Sequence, residues 1–113
     1  MEVSFEIYVW GMYNMCIEGL YFEWDENKNL INKEKHGVSF EEARTVFYDE
    51  NALLEFDDLH SGAEDRFRIL GRSNNGNILL VVHCIRSESL IRIISSRKAT
   101  SNEKRGYERS CGL

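Results

Sequence analysis

The chain has 113 residues, enough for one domain that buries a core without disulfide or metal staples. With 42% apolar and 29% charged residues its composition is that of an ordinary soluble globular protein, and it lacks proline altogether. Cys16, Cys84 and Cys111 form no CxxC pair, which argues against a disulfide framework and a zinc site and suits a reducing, cytoplasmic setting.

The formal net charge of -5 conceals a division. Residues 1–65 carry 16 acidic side chains against 4 basic ones, a net of -12, whereas residues 66–113 carry 10 basic against 3 acidic, a net of +7. Such an asymmetry points to a polyanion-binding second half. The alternative is that the two halves pair with each other across the fold.

The first stretch, "MEVSFEIYVWGMYNMCIEGLYF", is apolar and aromatic. It carries Glu2 and Glu6 with no early lysine or arginine, so it lacks the positive start of a secretory signal, and it is interrupted too often to span a bilayer. It reads either as an extra strand or as sequence upstream of a start at Met12 or Met15. Residues 1–20 are accordingly expected to be an extension and 21–113 a single domain.

"YFEWD" predicts a short strand ending at Asp25, a good helix N-cap. The helix Glu26–His36 follows, with Lys33, Lys35 and His36 in its last turn and Gly37 in the left-handed position that ends it. "SFEE" predicts a capping box from Ser39 and Glu42, with Val38 and Ala43 as a weak hydrophobic staple. Phe40, Ala43 and Phe47 then share a core face.

"NALLEF" reads as a strand and "DDLHSGAED" as an acidic loop, in which His60 is uninformative. "RFRILGR" alternates, with Arg66, Arg68, Leu70 and Arg72 on one face. "SNNGN" is a tight hairpin connection, and "ILLVVHCI" is apolar at both parities, as in a central strand covered on both sides. "LIRIISSR" places Arg92, Ile94 and Ser96 on one face and Ile91, Ile93, Ser95 and Arg97 on the other. Thr100 and Glu103 form a second capping box for a helix ending near Arg109. The expected order is βααββββα: an α+β fold with a meandering antiparallel sheet, two N-terminal helices on one face and a short C-terminal helix.

If the helices cover one side of that sheet, the other side holds a field of arginines, whose guanidinium groups give bidentate hydrogen bonds to phosphate. A solvated face paired with the acidic loop accounts for the same pattern. His36 reads equally as a helix C-terminal residue favoured by the dipole, and His83, inside the most apolar strand, as a hydrogen-bonded core histidine. No metal-ligand spacing, nucleophile elbow or phosphate-cradling glycine loop occurs, and no cofactor is expected.

The blocks "FEWDENKNLINKEKHGVSFEEA", "EDRFRILGRS", "ILLVVH" and "IRIISSRKATSNEKRGYE" resemble the BrnT family of bacterial toxins, from about Tyr21 to Glu108. The first block is matched at Trp24, Asp25, Lys28, Lys35, His36, Gly37 and Val38. The middle is matched at Arg66 and Gly71, and the last at Arg92, Arg97, Glu103 and Tyr107. Ser96 stands where the family usually has alanine.

The resemblance implies a RelE-like fold, ribonuclease activity that arrests translation, and neutralisation by a BrnA antitoxin. That antitoxin supplies a ribbon-helix-helix DNA-binding domain, joins the toxin in a heterotetramer and brings it to DNA; neither membrane nor direct DNA binding is implied. Metal-free RNA cleavage needs removal of the 2′-hydroxyl proton, stabilisation of charge on phosphate and protonation of the leaving oxygen. Arg66, Arg92 and Arg97 are the candidate phosphate clamps, and His36, with Lys35, the candidate acid or base. Lys28, Trp24, Arg68, Arg72, Glu103 and Tyr107 are candidate RNA contacts, Trp24 by stacking on a base, with core packing as its other reading. The net acidity favours a rival: a catalytically inactive toxin-fold subunit of an autoregulatory DNA-binding complex.

Overall fold

A computed structural model describes residues 6–9, 12–17, 19–59, 61–62 and 64–112, with side chains from residue 19 onward; His60 lies outside the described residues. Strands β1 (Glu6–Val9), β2 (Met12–Ile17) and β3 (Leu20–Asp25) precede helices α1 (Glu26–His36) and α2 (Phe40–Ala43), the latter continuing as a 3-10 turn over Arg44–Tyr48. Strands β4 (Leu53–Phe56), β5 (Phe67–Arg72), β6 (Ile78–Ile85) and β7 (Leu90–Lys98) lead to helix α3 (Ser101–Ser110). The described strands form one sheet in the order β1-β2-β3-β7-β6-β5-β4.

The fold is α+β, as expected, with one difference. Two antiparallel meanders, β1-β2-β3 and β4-β5-β6-β7, are joined by a parallel pairing of β3 with β7. The crossover through α1 and α2 makes that parallel pair possible and puts both helices on one face.

Local signals hold at the helix ends. The Asp25 side chain accepts from the Asn27 amide, and Gly37 closes α1 at φ 70°. Ser39 accepts from the Glu42 amide, but the Glu42 carboxylate does not complete a box. It reaches across to the Ser73 hydroxyl (2.6 Å) and the Asn77 amide (2.9 Å), pinning α2 to the β5–β6 connection.

The face of α1 that meets the sheet is polar. Asn32 donates to the carbonyls of Val38 and Ser96, both at 2.8 Å, and accepts from the Ser96 amide. Asn29 accepts from the Phe40 amide at 2.8 Å. These buried asparagines bolt the helix down by hydrogen bonds, while Leu30 and Ile31 face outward. Beneath the helices lies a core of Phe22, Trp24, Val38, Phe40, Val46, Leu79, Val81 and Ile93. Gly71 lets the 3-10 turn approach β5: a Cβ there would stand 2.9 Å from the Val46 side chain.

The strict alternation expected of "LIRIISSR" fails at one residue. Val82 pairs with Ser95 and His83 with Ile93, so Ile94 is an extra residue on β7. This bulge turns Ile91, Ile93 and Ser96 to the helical face, where all three are buried. Arg92, Ser95 and Arg97 are thereby gathered on the opposite face, which strict alternation would have divided.

Candidate functional site

The face away from α1 and α2 contains a concavity of about 300 Å³ lined by Asp57, Arg66, Arg68, Leu80, Val82, Ser95 and Arg97. Register explains the gathering: Arg68 lies opposite Val82, Val82 opposite Ser95, and Leu80 opposite Arg97. Arg66 stands one residue before β5, where its amide and carbonyl are tied to the loop that begins at Asp57. The Asp57 amide donates to the Arg66 carbonyl (2.8 Å), and the Arg66 amide donates to Ser61 Oγ (3.0 Å).

Three of the sheet-face arginines already hold carboxylates. Arg68 meets Glu55 at 3.1 Å, Arg92 meets Glu23 at 3.2 Å, and Arg97 takes both oxygens of Glu103 at 2.9 and 3.0 Å. Among the described residues, the Arg66 guanidinium makes no hydrogen bond or ion pair. The Arg68–Glu55 and Arg92–Glu23 pairs, with Arg86–Glu64 (2.8 Å), also join the acidic first half of the chain to the basic second half. Cross-fold pairing therefore accounts for part of the charge asymmetry. Arg66, with the basic residues around the start of α3, is what it leaves over.

Pairing with Arg97 holds the Glu103 carboxyl down to about 2, and Glu103 also receives the Thr100 amide, completing the second capping box. Burial pushes the Cys84 thiol up, Glu64 adding to the effect, so Cys84 is not an activated nucleophile. His83 is buried between Phe47 and Phe67, and burial depresses it to about 4. It is the core histidine its strand suggested.

The other sequence candidates divide. Lys35 and His36 lie exposed at the end of α1, and neither lines the arginine cavity; Lys28 is exposed on the same helix. Trp24 is fully buried against Phe40, with its indole N–H donating to Glu26 at 3.0 Å, so the ring has no face for a base. Tyr107 is buried as well. Its hydroxyl donates to Asp49 at 2.6 Å and its ring lies under the Arg72 guanidinium, so it anchors α3. Arg72 itself is exposed beyond the cavity. Reasoning from sequence missed Asp57 and Ser95. Asp57 sits in a loop with three other acids, and nothing local distinguishes the one that is buried.

A family model described as the ribonuclease toxin BrnT of type II toxin-antitoxin systems matches residues 24–103. The chain belongs to the BrnT family. A solved structure of the Brucella abortus ribonuclease toxin, BrnT, is similar to it, with a TM-score of 0.52 and 25% identity over 69% of this chain and 94% of that one. No curated protein matches the chain. The BrnT match contains the whole arginine cavity together with Lys35 and His36 and ends at Glu103, short of Tyr107. Membership of a type II system implies an antitoxin partner for this BrnT-family chain. Among the described residues no helix is long and apolar enough to cross a membrane.

Proposed function

We propose that this chain is a metal-independent endoribonuclease that inhibits translation by cutting RNA in the arginine cavity. The observation that carries the reading is the assembly of Arg66, Arg68 and Arg97 around one concavity that the buried Asp57 also lines. Arg66, which holds no carboxylate among the described residues, receives the scissile phosphate, and Arg68 and Arg97 add charge as the phosphate exchanges with Glu55 and Glu103. The 2′-oxygen attacks phosphorus, the bond to the 5′-oxygen breaks, and a 2′,3′-cyclic phosphate forms. Guanidinium groups stabilise the charge that gathers on the non-bridging oxygens, the work a metal ion does elsewhere.

Proton transfer needs a group within hydrogen-bond reach of the clamped phosphate. His36 and Lys35 do not line the cavity and Asp57 does, so Asp57 takes the 2′ proton and water returns one to the leaving 5′-oxygen. A BrnA-like antitoxin with a ribbon-helix-helix domain neutralises the toxin by covering the same face. It also forms with it a heterotetramer that reaches DNA only through the antitoxin.

The test is RNA cleavage by the purified chain in EDTA, with Arg66→Gln beside it. Cleavage persists in EDTA, and the variant loses roughly 10²- to 10³-fold in rate while staying folded. Activity that disappears with EDTA and returns with magnesium or manganese refutes the mechanism. A parent that cuts no RNA, yet still assembles with its antitoxin on DNA, favours the inactive-subunit alternative.

A further inference from the structure

A second concavity, of about 320 Å³, has Arg72, Lys98 and Lys104 among its lining residues. The three cations come from the end of β5, the end of β7 and the first half of α3. One carboxylate, Glu108, also lines the space, leaving a net charge of +2.

Four basic residues elsewhere in the fold, Arg68, Arg86, Arg92 and Arg97, hold carboxylates. Among the described residues no carboxylate reaches ion-pair distance of Arg72, Lys98 or Lys104. With three cations and one carboxylate lining the space, an anion entering it meets net positive charge. Arg72 is also oriented. Its guanidinium stacks 5.8 Å from the Tyr107 ring centre, its amide is held by Asp49 at 2.8 Å, and its side-chain hydrogen bond to the Gly76 carbonyl is long at 3.4 Å. Tyr107 is held in turn by Asp49, so the arginine is placed by one buried and one half-buried side chain.

The two concavities are neighbours on the same strands. Leu80 walls the first and Ile78 the second, and across the ladder Arg97 walls the first while Lys98 and Ala99 wall the second. A two-residue step along a strand is about 7 Å. That is comparable to the separation of successive phosphates on a single strand.

From this we infer that Arg72, Lys98 and Lys104 form a second phosphate subsite, which holds the phosphodiester next to the one bound in the arginine cavity. The inference rests on the ribonuclease reading for the identity of the strand, RNA. The subsite fixes the register of the strand and takes no part in bond breaking. Its ligand is a backbone phosphodiester, so it is indifferent to base identity.

The experiment compares the full chain with Lys98→Gln/Lys104→Gln, both exposed positions whose substitution leaves the fold intact by circular dichroism. The binding probe is a short fluorescein-labelled single-stranded RNA with 2′-O-methyl sugars, which cannot be cut, titrated at several salt concentrations. The double variant binds it roughly tenfold more weakly, and the slope of log affinity against log salt falls by about 0.7, the release expected for one phosphate. In cleavage assays the loss is larger for an oligonucleotide than for a dinucleoside monophosphate, whose single phosphate fills only the first cavity.

Unchanged affinity and unchanged slope overturn the subsite. So does an equal loss on both substrates, which would put the lysines at the cleavage centre. A parent that binds the probe with the expected difference from the variant but cuts no RNA supports the subsite and refutes the ribonuclease reading. A parent that does not bind the probe overturns the subsite.

Discussion

The two terminal nitrogens of Arg97 meet the two carboxylate oxygens of Glu103 at 2.9 and 3.0 Å, joining the last strand to the first turn of the helix that follows it. The same carboxylate receives the Thr100 amide at 2.9 Å. One side chain therefore caps α3 and holds an arginine of the candidate site in place. Catalysis that uses Arg97 must compete with this pair.

Glu103→Gln separates the two roles, because glutamine keeps the neutral cap while giving up the ion pair. The Glu103 carboxyl lies near 2 in the folded chain against 4.5 ordinarily. A depressed carboxyl contributes stability that is complete above pH 4.5 and fades as pH falls toward 2. Discounted for its partial exposure, the contribution is about 1–2 kcal/mol. Denaturant unfolding between pH 5 and pH 2.5 therefore shows an acid-induced loss that is smaller by this amount in the variant. Parallel profiles for the two proteins would show that the pair contributes nothing to stability.

His83 sets a separate window. Burial between Phe47 and Phe67 lowers it to about 4 from 6.5, so the folded chain resists protonation that the unfolded chain accepts. Stability is complete above pH 6.5 and is lost as pH falls from there toward 4, by at most about 3 kcal/mol. His83→Phe, which keeps an aromatic ring in the core, flattens the melting temperature between pH 7 and 4.5. The same slope in parent and variant would assign the loss to other groups.

The N-terminal strands give a third test. We propose that residues 21–113 form the toxin domain and that the preceding residues only extend its sheet. β2 pairs with β3 along the whole of β3, yet the buried Phe22 and Trp24 rings pack on Phe47, Tyr48 and Phe40, all later in the chain. The BrnT match also begins at Trp24. A chain starting with methionine before Leu20 unfolds cooperatively, within about 5 °C of the parent, and cuts RNA equally well. Loss of cooperative unfolding would make β1 and β2 integral to the domain.

Antitoxin binding is the fourth. If the antitoxin covers the arginine face, Arg92→Gln/Arg97→Gln weakens antitoxin and RNA binding in parallel, and low salt speeds association for the parent more than for the variant. The measurement is antitoxin affinity and association rate for both proteins at two salt concentrations. Affinity unaffected by either change would place the antitoxin elsewhere, as on the acidic half.

What the sequence determined by itself was local. Asp25 and Gly37 delimit α1, and Thr100 with Glu103 starts α3, because a cap needs only a side chain and a backbone group a few residues apart. The family-bearing blocks were equally legible, since they are strings of residues in order. The helix α1 was found by its caps although its buried face is asparagine, which no hydrophobic pattern reveals.

Tertiary structure decided the site. The bulge at Ile94 brings Arg92, Ser95 and Arg97 to one face, and it exists only in the pairing of β7 with β6. The partners of Arg68 and Arg92 come from strands distant in sequence, and Asp57 enters the cavity through the path of its loop. Trp24 and Tyr107, which the motif offered to RNA, are closed off by Phe40 and Asp49 arriving from elsewhere in the chain. Each depends on which groups long-range pairing brings within a few ångströms, and neither strand parity nor a motif carries that information.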